Sequence, residues 1–294
     1  MLGRLVGDAR FERVARRALR ALYLARTSEN LVGVAIDVLT GQWMVNHSNL
    51  GAGVDSFYEY LFKAYVLTGD DEYLQMFDDV YYGVIKHMRR SDWFYYDTVD
   101  IRSGQRLSAY TDSLASFFPG LQVLIGDVPP AMRGYCVFDN IWRRFASLPE
   151  RFDQTQQALI DPSYPLRPEF VESTYHLYRA TKDPAYLAVA ERLVTDINEL
   201  LRQKCGFAGL KNVLTRTYED RMESFFLSET LKYLYLIFDE DNIFNRLEER
   251  LIFTTGLLIS TLAKSMSEAN CIISIRSPCF SNDPCRFLPV PTVD

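Results

Sequence analysis

The sequence predicts an all-α toroid of inner and outer helices, and two observations indicate this fold. A turn that ends in aspartate recurs between apolar stretches at intervals of 62, 57, 56 and 56 residues. The turn residues are Asp8, Asp70, Asp127, Asp183 and Asp239. A fixed period of this length is typical of stacked helical units that cannot bury their apolar faces alone.

The second observation is an acid that lies 14 to 16 residues before the aspartate in four of these units. The four acids are Asp55, Asp112, Glu169 and Glu223. About four helical turns separate each acid from its turn, so the acids should lie at one end of the assembly. A ring of carboxylates at one mouth of a toroid suggests a glycosidase or a metal site.

The individual helices follow from apolar periodicity and from turn residues. We predict helices at 9–24, 55–67, 71–90, 111–124, 129–146, 169–180, 184–203 and 220–237. Pro129 and Pro130 suit a first helical turn, and Lys182-Asp183-Pro184 ends one helix and starts the next. Alternating strand patterns are scarce, so only short β-hairpins are expected, in the connectors.

Two regions of different character divide the chain. Residues 1–256 carry the repeat and are predicted to form one partial barrel, whereas 257–294 lack it and read as an irregular tail. Cys136 and Cys205 are predicted to be free, buried thiols. Asn46-His47-Ser48 matches a glycosylation sequon, a triplet that also occurs often by chance.

The composition argues against several classes of protein. The 294 residues include 32 basic and 38 acidic side chains, for a net charge of −6, which disfavours a nucleic acid as the main partner. No run of 18 apolar residues predicts a membrane span, and the N-terminus lacks a secretory signal pattern. No nucleophile elbow, phosphate-binding loop or dinucleotide motif is present.

The acids suit carbohydrate chemistry because they lie beside aromatic side chains at helix starts. Hydrolysis of a glycosidic bond needs two carboxyl groups across the scissile bond. For each acid alone, a helix-capping role is the competing interpretation, since carboxylates favour the first helical turn. Ser56 and Glu59 also form a formal capping box, and Asp112 is the acid most easily explained as a cap.

Four blocks of sequence resemble glycoside hydrolase family 47, the class I α-1,2-mannosidases. The blocks are GAGVDSFYEYL (51–61), FFPGLQVLIGD (117–127), YPLRPEFVES (164–173) and DRMESFFLSETLKYLYLIFD (220–239). The resemblance runs from about residue 2 to 255 and is strongest to the ER degradation-enhancing α-mannosidase-like branch. It implies an (α/α)7 barrel and calcium-dependent, inverting removal of mannose from N-glycans. It also implies that the protein lies in the ER lumen and acts on misfolded glycoproteins carrying high-mannose glycans, with an ER oxidoreductase as a candidate partner.

The resemblance assigns roles to individual residues. Asp55 and Glu169 fall on catalytic carboxylates, with Glu169 as the base, and Thr255 falls on the residue that binds calcium. The residues that fall on substrate-binding positions are Arg167, Glu172, Glu223, Phe225 and Glu229.

Two departures from the family pattern bear on activity. The family's general acid falls upstream of Met1, and Gly256 stands where the family has a glutamate after the calcium threonine. We therefore expect negligible mannose release by the chain as written and weak calcium binding. A mannose-binding, lectin-like escort and an inactive fragment remain the alternatives.

Overall fold

The computed structural model describes residues 2–91, 95–246, 251–254 and 259–261. Its α-helices are α1 (Leu2–Val6), α2 (Ala9–Leu24), α3 (Asp55–Thr68), α4 (Asp71–Gly83), α5 (Phe118–Leu124), α6 (Val128–Phe145), α7 (Glu169–Thr181), α8 (Pro184–Leu200), α9 (Leu231–Phe238) and α10 (Ile243–Arg246). A 3₁₀ segment at Ser113–Phe117 leads into α5, and π-helical segments at Val84–Met88 and Phe226–Thr230 adjoin α4 and α9.

The strands are short and lie in the connections between helices. They are β1 (His47–Ser48), β2 (Thr98–Asp100), β3 (Arg106–Ser108), β4 (Tyr110–Asp112), β5 (Arg151–Asp153), β6 (Ala158–Asp161), β7 (Arg202–Gln203), β8 (Gly206–Phe207), β9 (Gly209–Asn212), β10 (Thr217–Glu219), β11 (Leu251–Phe253) and β12 (Ile259–Thr261). Two antiparallel three-stranded sheets, β1-β2-β3 and β4-β5-β6, accompany three two-stranded hairpins. The short hairpins expected in the connectors are confirmed.

The helices form two layers. Helices α3, α5, α7 and α9 pack in series, and α4, α6 and α8 each fold back against the helix that precedes them. Each pair is joined at a turn of the repeating aspartate motif, so the predicted alternation of inner and outer helices is confirmed.

Helix α7 lies at the centre of the inner layer. Every residue from Phe170 to Tyr178 is buried, including polar ones. Ser173 accepts a hydrogen bond from the Gly120 amide at 2.9 Å, and Thr174 bonds to the Tyr135 hydroxyl at 2.9 Å. A β-carbon at Gly120 would lie only 3.1 Å from the Ser173 oxygen, so glycine allows α5 to approach α7 closely.

Two predicted helices begin later than their sequence pattern suggests. Residues 110–112 pair with 151–153 as β4 and β5, so the helix predicted at 111–124 is replaced by strand, 3₁₀ turn and α5. The helix predicted from 220 starts at 224, because 217–219 pair with 209–212 in a hairpin. In the first place long-range strand pairing overrides local propensity, and in the second a local hairpin directly precedes the helix.

The turn aspartates cap helices in three of the first four turns. Asp8, Asp70 and Asp183 each accept a hydrogen bond from the amide two residues on. Asp127 does not, because the residue two positions on is Pro129, which has no N–H. The Asp127 carboxylate instead accepts a hydrogen bond of 2.6 Å from the Tyr81 hydroxyl of α4.

Helix α2 differs from the prediction in its burial. It spans the predicted residues, yet none of its side chains is fully buried, and Phe11 and Val14 of its apolar face are 48% and 59% exposed. Charged contacts tie it to α4 instead, and Arg16 donates to Asp70 at 2.6 Å and to Glu72 at 2.8 Å.

The predictions for the cysteines, the tail and a membrane span have different outcomes. Cys205 is free but exposed and Cys136 is disulfide-bonded, so the expected pair of free, buried thiols is wrong. Most of the predicted tail, 257–294, lies outside the described residues, although the backbone of 259–261 within it pairs with 251–253. Within the described ranges, each helix is too short or too polar to cross a bilayer.

Asp183 offers a test of the capping role of the turn motif. Replacing it with alanine removes the hydrogen bond of 2.9 Å to the Ala185 amide at the start of α8. We expect Asp183→Ala to lower the free energy of unfolding by about 1 kcal/mol, measured by urea denaturation. Asp78→Ala is the control, because Asp78 is exposed and lies away from both ends of α4. This variant should be neutral or slightly stabilising. Equal losses in both variants would contradict the capping role.

Candidate active site

A cavity of about 180 Å³ opens between the starts of the inner helices. It contains five carboxylic acids and one lysine. Its lining residues are Asp55, Ser56, Glu59, Lys63, Leu114, Phe117, Pro168, Glu169, Glu172, Phe225, Glu229, Tyr233 and Thr254. The concentration of carboxyl groups in one partly enclosed space makes this cavity the candidate active site.

The acids of this cavity lie at or near the starts of the inner helices. Asp55 and Glu169 are the first residues of α3 and α7, and Glu59 and Glu172 lie one turn further along the same helices. Glu229 comes from the π-helical segment that precedes α9. A π-helical turn changes the direction of the side chains that follow it and is often found at functional sites.

A hydrogen bond joins the turn that carries Glu229 to the turn that carries Glu169. The Thr230 hydroxyl donates to the Leu166 carbonyl at 3.0 Å, and both residues are fully buried. Leu166 has a φ of 65°, a left-handed conformation that is unfavourable for a residue with a branched side chain. The surrounding structure holds this conformation in place, which is characteristic of functional sites.

Glu169 and Asp55 hold their protons more tightly than ordinary carboxyl groups do. Burial, with repulsion from Glu172 and Glu229, raises the pKa of Glu169 well above its usual range, and its buried Oε2 atom has no hydrogen-bond partner among the described residues. Burial, with repulsion from Asp112, also raises the pKa of Asp55. Both groups can therefore accept or give a proton nearer neutral pH than a free carboxylate can.

Glu172 has the opposite electrostatic character. Burial alone would raise its pKa, but Lys63, His176 and the hydrogen bond from Tyr233 outweigh burial and lower it. The Tyr233 hydroxyl donates to Glu172 Oε1 at 2.8 Å, and Lys63 Nζ lies 3.6 Å from the same oxygen. Glu172 is therefore the acid of the cavity that is held in the ionised form.

Glu229 lies between these extremes. Burial and repulsion from Glu172 raise its pKa to about 7, against a smaller opposing effect of Lys232. The cavity thus combines a carboxylate held ionised with acids that keep their protons to higher pH. Divergent proton affinities within one group of acids are typical of acid–base catalytic sites.

The other residues assigned from the sequence lie in different places. Phe225 lines the cavity, whereas Arg167 is held beside it by a bidentate pair with Glu150, with distances of 2.5 and 3.0 Å. Glu223 lies outside the lining and pairs with Arg221, so the expected convergence of Asp55, Glu169 and Glu223 on one cavity fails for Glu223.

Asp112 caps the 3₁₀ segment through a hydrogen bond of 3.0 Å from the Leu114 amide and lies outside this cavity. The predicted calcium ligand Thr255 falls outside the described residues. The described part of the chain holds no group of three or more His, Cys, Asp or Glu side chains arranged to bind a metal ion.

Sequence reasoning missed three residues of the cavity: Glu59, Lys63 and Tyr233. The interpretation of Ser56 and Glu59 as a capping box is wrong, because α3 has no side-chain cap and Glu59 pairs with Lys63. A lysine four residues after a glutamate, within the apolar stretch 57–66, was the available signal.

The raised pKa of Glu229 predicts a pH-dependent effect on stability. In the unfolded chain Glu229 has the ordinary pKa of a glutamate, ~4.3, whereas in the folded chain its pKa is about 7. Between these two pH values the unfolded chain releases the proton and the folded chain retains it. The free energy of unfolding should therefore fall as pH rises through this window. Glu229→Gln should be more stable than the native chain by on the order of 1–2 kcal/mol at pH ~8 and equal to it at pH ~4.5, by urea unfolding. Glu199→Gln, on the exposed face of α8, is the control, and a pH-independent difference for Glu229→Gln would contradict the assignment.

Comparisons with known proteins place the chain in a family. Residues 1–256 match the model of Glycosyl hydrolase family 47. The chain is 46% identical over 257 residues to alpha-mannosidase I MNS5 of Arabidopsis thaliana, covering 86% of this chain and 44% of that protein. It is 44% identical over 279 residues to human ER degradation-enhancing alpha-mannosidase-like protein 3, covering 92% of this chain and 29% of that protein.

A solved structure shows the same fold. The alpha-1,2-mannosidase from Trichoderma reesei superposes with a TM-score of 0.78 at 22% identity, covering 89% of this chain and 63% of that one. The chain spans less than half the length of the curated relatives named above. The match over residues 1–256 and the identity to these relatives show that the chain belongs to glycosyl hydrolase family 47.

Proposed function

We propose that this chain forms the mannose-binding and base-bearing part of an α-1,2-mannosidase site that acts on N-glycans. The observation that carries the proposal is the cavity in which acids of divergent proton affinity lie beside an aromatic ring. Carboxylates accept hydrogen bonds from sugar hydroxyls, and two carboxyl functions are needed to cleave a glycosidic bond. The names of the relatives support mannose as the sugar.

Glu169 is the residue we assign as general base. Its Oε2 atom has no hydrogen-bond partner in the described part of the chain, and burial raises the pKa of the carboxyl group, so this oxygen can take a proton from a water molecule that attacks the sugar. Asp55, on the neighbouring helix α3, is the second catalytic acid of the proposal. The family resemblance assigns the proton that the leaving oxygen needs to a further acid, on the inner helix before the Asp8 turn.

Substrate recognition is assigned to the residues around this pair. The ionised Glu172 and the Glu229 carboxyl group can bond to sugar hydroxyls, and the Phe225 ring offers an apolar face to the sugar. Arg167 and Glu223 keep the substrate-binding roles implied by the family. Arg167 lies near enough to Asp55 and Glu169 to oppose the rise in their pKa values.

The cellular role is proposed from the relatives. Proteins described as ER degradation-enhancing alpha-mannosidase-like support action in the ER lumen on high-mannose glycans of misfolded glycoproteins. We propose that the helical pairs belong to an (α/α)7 barrel and that an ER oxidoreductase is a partner of the whole protein. Calcium, bound through Thr255 as the family resemblance implies, is the proposed cofactor. When bound, it would help to orient the sugar hydroxyls.

A mannose-binding escort without hydrolysis is the second candidate. The well-formed acid cavity serves binding as well as catalysis, because both need acceptors for sugar hydroxyls. Binding of high-mannose glycan without mannose release, by a longer form that carries the upstream helix and the family's C-terminal segment, would favour the escort.

The role of Glu169 can be tested by separating binding from cleavage. We expect the chain as written to release negligible mannose and the longer form to release it. In the longer form, Glu169→Gln should reduce release by about 10²–10⁴-fold, because a general base is lost. Release is measured by glycan profiling, and binding of an uncleavable S-linked α-1,2-mannobioside by calorimetry should change little. Glu199→Gln is the matched control, and unchanged release by Glu169→Gln would assign the base elsewhere.

The calcium proposal is tested separately by calorimetric titration. Gly256 replaces the glutamate that the family carries after Thr255. Calcium sites depend on several oxygen ligands placed in advance, so we expect weak binding by this chain and tighter binding by Gly256→Glu. Tight calcium binding by the unaltered chain would contradict the first expectation.

A further inference from the structure

Lys63 is a buried cation in the middle of the inner helix α3. The residue is only 6% exposed and lies in an apolar stretch of sequence. A lysine this deeply buried is rare unless its ammonium group is paired. Its surroundings therefore indicate which groups it serves.

Two carboxyl groups flank the Lys63 ammonium group. Glu59, one turn earlier on α3, pairs directly with Nζ, and Glu172 of α7 approaches it to 3.6 Å. These two acids outweigh burial and raise the pKa of Lys63 above its usual value, so the group is charged. The titratable groups facing this triad from α3, α7, α9 and the π-helical segment are Tyr60, Glu169, His176, Tyr233, Lys232 and Glu229.

Lys63 also lines a second cavity of about 140 Å³, which shares no described lining residue except Lys63 with the acid cavity. Apart from Lys63 and His176, the side chains around this cavity are apolar: Phe62, Val66, Leu124, Leu251, Ile252 and Phe253. Among the described residues, His176 is the one other polar side chain that lines this cavity, and no acid lines it. The carboxyl groups that approach the Lys63 ammonium group are those of Glu59 and Glu172 in the acid cavity.

Stability alone does not account for this arrangement. A buried ion pair loses hydration energy that its attraction only partly returns, and well-packed apolar residues are often equally stable in its place. The pair does have a definite effect on the cavity, because it joins α3 to α7 at the carboxylate that Tyr233 also contacts.

We propose that Lys63 is a positioning residue whose ammonium group fixes the orientation and the ionised state of Glu172, so that this carboxylate accepts hydrogen bonds from a sugar hydroxyl. The inference rests on the proposed function for its ligand, a mannoside. The link between Lys63 and Glu172 stands on the described contacts and can be measured without any sugar.

The first experiment follows the carboxyl groups by infrared spectroscopy of the full chain with ¹³C-labelled glutamate. Glu172→Gln identifies the band of Glu172. In Lys63→Met, which removes the charge and keeps a side chain of similar length, Glu172 should take up its proton at least about three pH units higher than in the native chain, where its pKa is about 2. An unchanged titration of Glu172 in Lys63→Met overturns the proposal.

The second experiment measures binding of the S-linked α-1,2-mannobioside by calorimetry from pH ~5 to ~8. We expect Lys63→Met to bind within about threefold of the native chain at the upper pH and more than about tenfold more weakly at the lower pH, where Glu172 is protonated. A uniform loss across this range would indicate a structural role only and would overturn the proposal. Lys86→Met, which removes an exposed lysine paired with Glu29, is the control and should match the native profile.

If Lys63→Met fails to fold, Lys63→Arg still tests the proposal. It retains the charge, so it should keep the native titration of Glu172 and the native pH profile of binding. A native-like fold in which Glu172 nevertheless titrates higher would count against the proposal. Absence of binding by the native chain would refute the proposed function, while the infrared titration still decides the role of Lys63.

Discussion

The structure depends on the burial of one helix on every side. From Phe170 to Tyr178, α7 has no exposed face, and helices α5, α6, α8 and α9 pack around it. A polar side chain buried on such a helix lowers the stability of the fold unless it has a hydrogen-bond or ionic partner. Its serine and threonine therefore bond to neighbouring helices, and its glutamate is held by a tyrosine and a lysine. The packing of the inner layer and the chemistry of the cavity have the same origin.

The acids of the cavity illustrate how burial differentiates similar groups. Like charges in a space of low polarity cannot all be ionised, because each carboxylate raises the pKa of its neighbours. Lys63, His176 and the hydrogen bond from Tyr233 keep Glu172 ionised, whereas Glu169 and Glu229 retain their protons to higher pH. The different neighbours of the acids thus give each acid its own proton affinity.

The sequence predicted the helical pairs well, because the spacing of the turn aspartates reflects the length of a helical hairpin. It predicted Asp55 and Glu169 in the cavity through their common offset from these turns. The same offset placed Glu223 there wrongly, since the hairpin of 209–212 and 217–219 delays the start of the following helix. A helical offset holds only where the helix is continuous between the two residues compared.

Other features depended on contacts that no local pattern contains. Glu59 looked like part of a cap, and only its pairing with Lys63 in the folded chain shows that it faces the acids. The Asp127 turn repeats the motif in sequence, yet the following prolines remove the amide that a cap requires. Such differences arise from tertiary partners, which a single sequence does not display.

The hydrogen bond between Thr230 and Leu166 has a further consequence for how the site responds to its surroundings. It joins two turns through an uncharged hydroxyl and a backbone carbonyl, both shielded from solvent. Ionic strength weakens contacts between exposed charges but hardly affects a buried neutral bond. This link between the turn before Glu169 and the segment of Glu229 is therefore insensitive to salt.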